Sequence, residues 1–106
     1  MKVFDEHITA AENIAQECCN IWQIPMQQLR RKSRNKMIVC KRQVVSFILK
    51  NKFNRDITLK GMGLIVGYKD HSDFIRAYKR AGELISVKDD TIMNYYNPVK
   101  HLLHEK

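Results

Sequence analysis

The sequence predicts an all-α fold of roughly five to six helices, on three observations. Apolar residues return at intervals of three and four along most of the chain, the period of one helix face. Residues that cap helices stand in front of several of these segments: Thr9, Thr58 and Asp70. Pro25, Asn54-Arg55-Asp56 and Gly67 break the pattern at intervals that leave room only for short connections.

Taken in order, Thr9-Ala10-Ala11-Glu12 reads as a capping box, followed by Ile14, Cys18, Ile21 and Trp22 on one stripe of a helix of about four turns. Pro25 suits the first position of a short second helix to about Leu29, where its missing N–H has no partner to lose. The run Arg30-Arg31-Lys32-Ser33-Arg34-Asn35-Lys36 has little apolar content and reads as a loop. A third helix is expected over about Lys41 to Lys52, with Val44, Val45, Ile48 and Leu49 inward and Lys41, Arg42 and Lys50 outward. Thr58 caps a fourth through about Val66, with Leu59, Met62 and Ile65 inward, and Gly67 supplies the positive-φ stop. Asp70 caps a fifth, whose apolar face is Phe74, Ala77, Tyr78 and Ala81 and whose outward residues include Arg76, Lys79 and Arg80. Ile92, Tyr95, Tyr96, Val99, Leu102 and Leu103 keep helical spacing across Pro98, which should kink or split the last helix.

At 106 residues and 44% hydrophobic content, the chain suits one domain over 1–106, burying roughly two-thirds of its unfolded surface. Its formal charge of +8 is unevenly placed: residues 1–28 carry −3, residues 29–82 carry +12 and residues 83–106 carry −1. Such a concentrated basic segment is the footprint of a surface facing phosphates, anionic lipid or an acidic partner; a basic face kept for solubility is the plainer alternative. No apolar run is long enough to span a membrane, and Asp5 and Glu6 stand where a signal peptide would be basic and then apolar. Cys18, Cys19 and Cys40 form no C-x-x-C pair and suit a reducing compartment, so a cytoplasmic location is expected, with Cys18 as a small buried hydrophobe.

Catalytic, cofactor and metal sites are not expected. Gly61-Met62-Gly63-Leu64-Ile65-Val66-Gly67 misplaces its third glycine for a dinucleotide loop, and no phosphate-binding G-x-x-x-x-G-K-[ST] occurs. His101 and His104 have no evident third ligand and suit a helix C-terminus instead. Asp70 and His71 are neighbours on a helix and point in different directions, which argues against an acid-base pair.

The segment Thr58 to Ala81 has the layout of a helix-turn-helix: two helices, a glycine turn, small polar residues opening the second helix and bases farther along. Periodicity alone fits an ordinary core hairpin equally well. Gly67-Tyr68-Lys69-Asp70-His71-Ser72-Asp73-Phe74-Ile75-Arg76-Ala77-Tyr78-Lys79-Arg80, however, resembles the G-G-R-D-H-[ST]-T-V-x-x-A-x-[RK]-[KR] signature of the C-terminal DNA-binding domain of the bacterial replication initiator DnaA. Val39-Cys40-Lys41-Arg42-Gln43 resembles that family's A-R-P-R-Q entry to the preceding helix, and Ile14-Ala15 through Ile24 and Leu29 follow its first helices in order. The likeness covers about residues 8 to 85 and leaves 86–106 as a C-terminal helical extension.

The resemblance implies a Trp-repressor-like fold that binds double-stranded DNA at an asymmetric box. By position, Asp70, His71, Ser72 and Asp73 would meet base edges and Leu59 a thymine methyl. Arg30, Arg31, Lys32, Arg34, Lys41, Arg42, Lys60 and Lys69 would meet the backbone. The family's minor-groove arginine falls on Cys40, which leaves Lys41 or Arg34 as the replacement, and Gly61 replaces a glutamate. Asp73 and Phe74 stand where the family has Thr and Val. Asp73 suits a helix N-terminus but would be repelled by phosphates unless it accepts from a cytosine amino group. The resemblance further implies a bacterial or phage protein of the nucleoid, with replication proteins as further partners. The initiator's ATPase domain is absent from this chain, so a stand-alone binding module, a regulator occupying initiator sites and an excised domain all fit; Met1 and the acidic leader suit a natural start. The oligomeric state is open. The reading from another class is a protein-interaction module that uses the first helix or the Tyr95-Tyr96 tail.

Overall fold

The structure is a computed structural model that describes the backbone of residues 3–31, 34–54 and 56–104. These residues form seven helices and no strand: α1 Val3–Trp22, α2 Met26–Arg30, α3 Lys36–Lys52, α4 Leu59–Val66, α5 His71–Ser86, α6 Asp90–Tyr96 and α7 His101–His104. The all-α expectation holds, with more helices than expected. One of them comes from the split at Pro98, where a turn at 97–100 separates α6 from α7.

Two boundaries differ from the sequence reading. α1 begins six residues before Thr9, which therefore lies inside the helix and caps nothing; no proline or glycine interrupts residues 3–8, so the helix propagates through them. α3 begins at Lys36 because Asn35 accepts the Met37 N–H at 2.9 Å, a side-chain cap inside what reads as a basic loop. Of the run that reads as loop, Lys36 belongs to α3, and Lys41 and Arg42 come to lie well inside the helix.

α3 is the central element, packed by α4 and α5 on one part of its surface and by α6 and α7 on another. Val44, Val45, Ile48 and Leu49 are fully buried, joined by Ala11, Ala15, Cys18 and Cys19 of α1, Leu29 of α2, Met62 and Val66 of α4, and Phe74 and Ala81 of α5. The C-terminal helices share this core through Ile92, Tyr96, Val99 and Leu102. Trp22 Nε1 donates to the Tyr95 carbonyl at 3.0 Å, and Lys52 Nζ donates to the Leu102 carbonyl at 3.1 Å. The Phe47 and Tyr96 rings meet edge-on at 5.8 Å. Tyr96 is thus part of the core, and the half-buried Tyr95 packs against it.

Lys41 and Arg42, expected outside, are 6% and 7% exposed. The Lys41 ammonium lies 5.5 Å from the centre of the Tyr95 ring. Arg42 Nε donates to the Leu29 carbonyl at 2.9 Å, its Nη2 donates to the Arg31 carbonyl, and its guanidinium lies 5.5 Å from the centre of the Tyr68 ring. Leu29 and Arg31 close α2, whose last carbonyls have no intrahelical donor; the guanidinium fork supplies one. Burial without a carboxylate is tolerated because the charge has both acceptors and an aromatic face.

Replacing Arg42 with Met keeps the apolar stem but leaves the Leu29 and Arg31 carbonyls without their donor. We expect a loss of about 1–3 kcal/mol in urea unfolding, with no rescue by Arg42→Lys, whose point charge cannot serve two divergent carbonyls. Gly67 adopts φ +106°, and a Cβ there would meet the Arg30 carbonyl oxygen at 2.6 Å and Cα at 2.7 Å. Gly67→Ala should therefore cost at least about 2 kcal/mol. Gly82→Ala, inside α5 with only ordinary contact to Phe47, should instead stabilise by about 0.5–1 kcal/mol. Equal effects at the two glycines would refute the assignment of Gly67 as the constrained turn.

Candidate nucleic-acid interface

The unit that presents polar groups to solvent is α4, a four-residue connection and α5. Thr58 opens α4 by accepting the Gly61 N–H at 3.0 Å. Gly67 closes it: its N–H donates to Leu64 at 3.2 Å, and the Tyr68 N–H reaches back to Gly63 at 2.8 Å, the Schellman pattern that needs a left-handed residue. Arg30 Nε donates to the Ile65 carbonyl at 2.9 Å, tying the end of α2 to the last turn of α4. Gly63 lets the two helices of the unit approach closely, since a Cβ there would stand 3.3 Å from Phe74 Cβ. Phe74 is fully buried between Tyr68 and Tyr78, at ring distances of 6.5 and 5.4 Å.

This scaffold fixes where α5 begins. Asp70 Oδ1 accepts the Ser72 N–H at 3.0 Å, as expected of its cap. That hydrogen bond, helped by His71 and Arg76, holds the Asp70 carboxyl below its ordinary value of 3.8. A carboxylate lowered in the fold contributes stability that is complete above the ordinary value and is lost as pH falls through the lowered one. His71 Nδ1 lies 3.5 Å from the same carboxylate oxygen and its side chain is 57% exposed, so the two side chains meet instead of pointing apart as expected, because Asp70 is the extended cap and not a helical residue. Asp70 and Asp73 are also exposed and Ser72 is half-buried, so these four residues stand together on the open first turn. Asp73 makes an ion pair with Arg76 at 3.3 Å.

The remaining residues named from the sequence sort into two groups. Arg31, Arg34, Lys60 and Lys69 are exposed, and Leu59 is half-buried at the start of α4. Lys32 lies outside the described residues. Arg30 is exposed but has an internal role, through Ile65 and an ion pair with Glu12 at 3.8 Å. Lys41 and Arg42 are interior residues and not the surface contacts expected of them, because they precede Val44, Val45, Ile48 and Leu49 by three, four or seven residues and so lie on the buried stripe of α3. The sequence places Arg76 outward, and its i, i+3 spacing from Asp73 is the signal for its pairing.

Among the described residues no group of three or more His, Cys, Asp or Glu gathers as a metal site, and no helix is long and apolar enough to cross a membrane. Cys18, fully buried and pushed up to about 12 by burial, is the small hydrophobe expected of it.

Comparison with known proteins agrees with this geometry. The family described as "Bacterial dnaA protein helix-turn-helix" matches residues 11–81. The chain is 30% identical over 91 residues to the chromosomal replication initiator protein DnaA of Enterococcus faecalis, which covers 86% of this chain and 20% of that relative. The chain therefore spans about one-fifth of the length of the curated relative it matches. No solved structure matches it. With the later part of α1 through most of α5 inside the matched span, the chain belongs to the bacterial dnaA helix-turn-helix family.

Proposed function

We propose that this chain binds double-stranded DNA in a sequence-specific manner, with the N-terminal turn of α5 in the major groove, at a site of the kind its relative's name associates with chromosomal replication initiation. The observation that carries the reading is the open cluster of Asp70, His71 and Ser72 at the end of a turn whose backbone is packed on α2. A recognition helix works in this way: its first residues reach base edges while flanking cations meet phosphates. Arg31 and Arg34 on the loop, Lys60 on α4 and Lys69 before α5 are the exposed cations that supply the phosphate contacts. Leu59 offers an apolar contact for a thymine methyl. The chain provides the DNA-binding step of an initiator-type assembly or of its regulation in the bacterial cytoplasm, with replication proteins as further partners.

The primary experiment is duplex binding across a salt titration, in which log K should fall by about 0.9 per unit log salt for each phosphate neutralised. A flat response would overturn the reading in favour of a protein-binding surface. Replacing Arg31 and Arg34 together with Ala should weaken all duplexes by a similar factor and lower the slope by about 0.9 per lost contact.

His71 provides the sharper test. His71→Ala should cost about 1–3 kcal/mol at the preferred site and leave nonspecific binding nearly intact. A fall in thermal stability with an unchanged specificity ratio would assign His71 to packing or capping instead.

A further inference from the structure

The recognition surface of α5 extends past its first turn. With Phe74, Ala77 and Ala81 buried, the helical period places Ser72, Arg76 and Lys79 along the ridge opposite the core. Arg76 follows Ser72 by one turn, and its side chain is 80% exposed. Its Nη1 lies 3.3 Å from Asp73 Oδ1. If Ser72 faces the floor of the major groove, Arg76 faces the next stretch of that floor. One N–H of the five on the guanidinium is engaged by Asp73, leaving the rest of the fork free to donate. A parallel pair of donors matches O6 and N7 of guanine, while the cytosine of the same pair presents an amino donor that the second oxygen of Asp73 can accept. The pairing also explains how an acidic residue is tolerated on a DNA-facing helix. Asp73 would be repelled at the phosphate wall, but beside Arg76 it complements the edge of a G·C pair.

We propose that Arg76 reads a guanine in the major groove and that Asp73 positions its guanidinium, making the Asp73–Arg76 pair a specificity determinant beyond His71 and Ser72. This rests on the DNA-binding reading above.

The test is selection from a randomised duplex library by the unaltered chain, Arg76→Ala, Arg76→Lys and Asp73→Asn, with thermal melting and salt-titrated affinity for each. The unaltered chain should select a G·C pair near the position whose preference His71→Ala loses. Arg76→Ala should reduce the discrimination for guanine there on the order of tenfold while other positions keep their preference. Arg76→Lys should not restore it, since a point charge has no fork. Asp73→Asn should loosen the same position several-fold without shifting the melting temperature by more than a surface ion pair does. Uniform weakening across sequences, with the salt slope lower by about 1, would make Arg76 a phosphate contact and overturn the inference. Unchanged selection by Arg76→Ala would overturn it as well, leaving a surface ion pair, and unchanged selection by Asp73→Asn would overturn the positioning role. The absence of any preferred duplex for the unaltered chain would overturn the DNA-binding reading itself, a result seen before any variant is compared.

Discussion

The turn at Gly67 is pressed against the backbone of Arg30, so closely that a single added carbon would meet the carbonyl oxygen at 2.6 Å. Residue 67 must also take a left-handed conformation to close α4 and release the chain toward Asp70. These two demands meet at one residue and orient everything beyond it. The direction of α5, the burial of Phe74 and the exposure of the Asp70 to Asp73 turn follow from the way the connection sits on the end of α2. Arg30 holds the other side of this junction through the Ile65 carbonyl. The short helix α2, only five residues, has little stability of its own; it is held by carbonyl contacts from two arginines on different elements.

That arrangement divides the basic residues by what they do. Summed over the sequence, the positive charge between residues 29 and 82 looks like one surface. In the fold, Arg42 lies inside, donating to the end of α2 beneath Tyr68, and Lys41 is seated over Tyr95. Arg30 straddles the two roles. Exposed cations stand on the loop before α3 and at its start (Arg31, Arg34, Lys36), on α4 (Lys60), before α5 (Lys69) and along α5 (Arg76, Lys79, Arg80).

The C-terminal segment shows the same economy of surface. Residues beyond the matched family span supply Ile92, Tyr96, Val99 and Leu102 to the core. They cover the part of α3 that α4 and α5 leave open, so α3 is enclosed on both sides. The apolar spacing of that segment is explained by packing and requires no external partner.

Local rules were enough to read several elements from the residues: the Thr58 and Asp70 caps, the Gly67 stop, the inward face of α3 and the break at Pro98. Each depends on neighbours within one or two turns, so sequence determined it directly. The start of α3 was hidden because Asn35 sits in a basic run whose composition reads as loop, although its cap is also local. The inward direction of Lys41 and Arg42 was legible in their three-, four- and seven-residue spacing from the buried apolar residues of α3, against their charge; the partners of Arg30, Lys41 and Arg42 were not. Those partners lie on other elements, at Ile65, Tyr95, Leu29 and Tyr68, and nothing local in the sequence names which distant carbonyl or ring a buried cation meets. The sequence by itself determined which residues open α5; only the tertiary structure decided which charges stay exposed and which are engaged inside, because burial and carbonyl pairing are settled when helices far apart in the chain pack together.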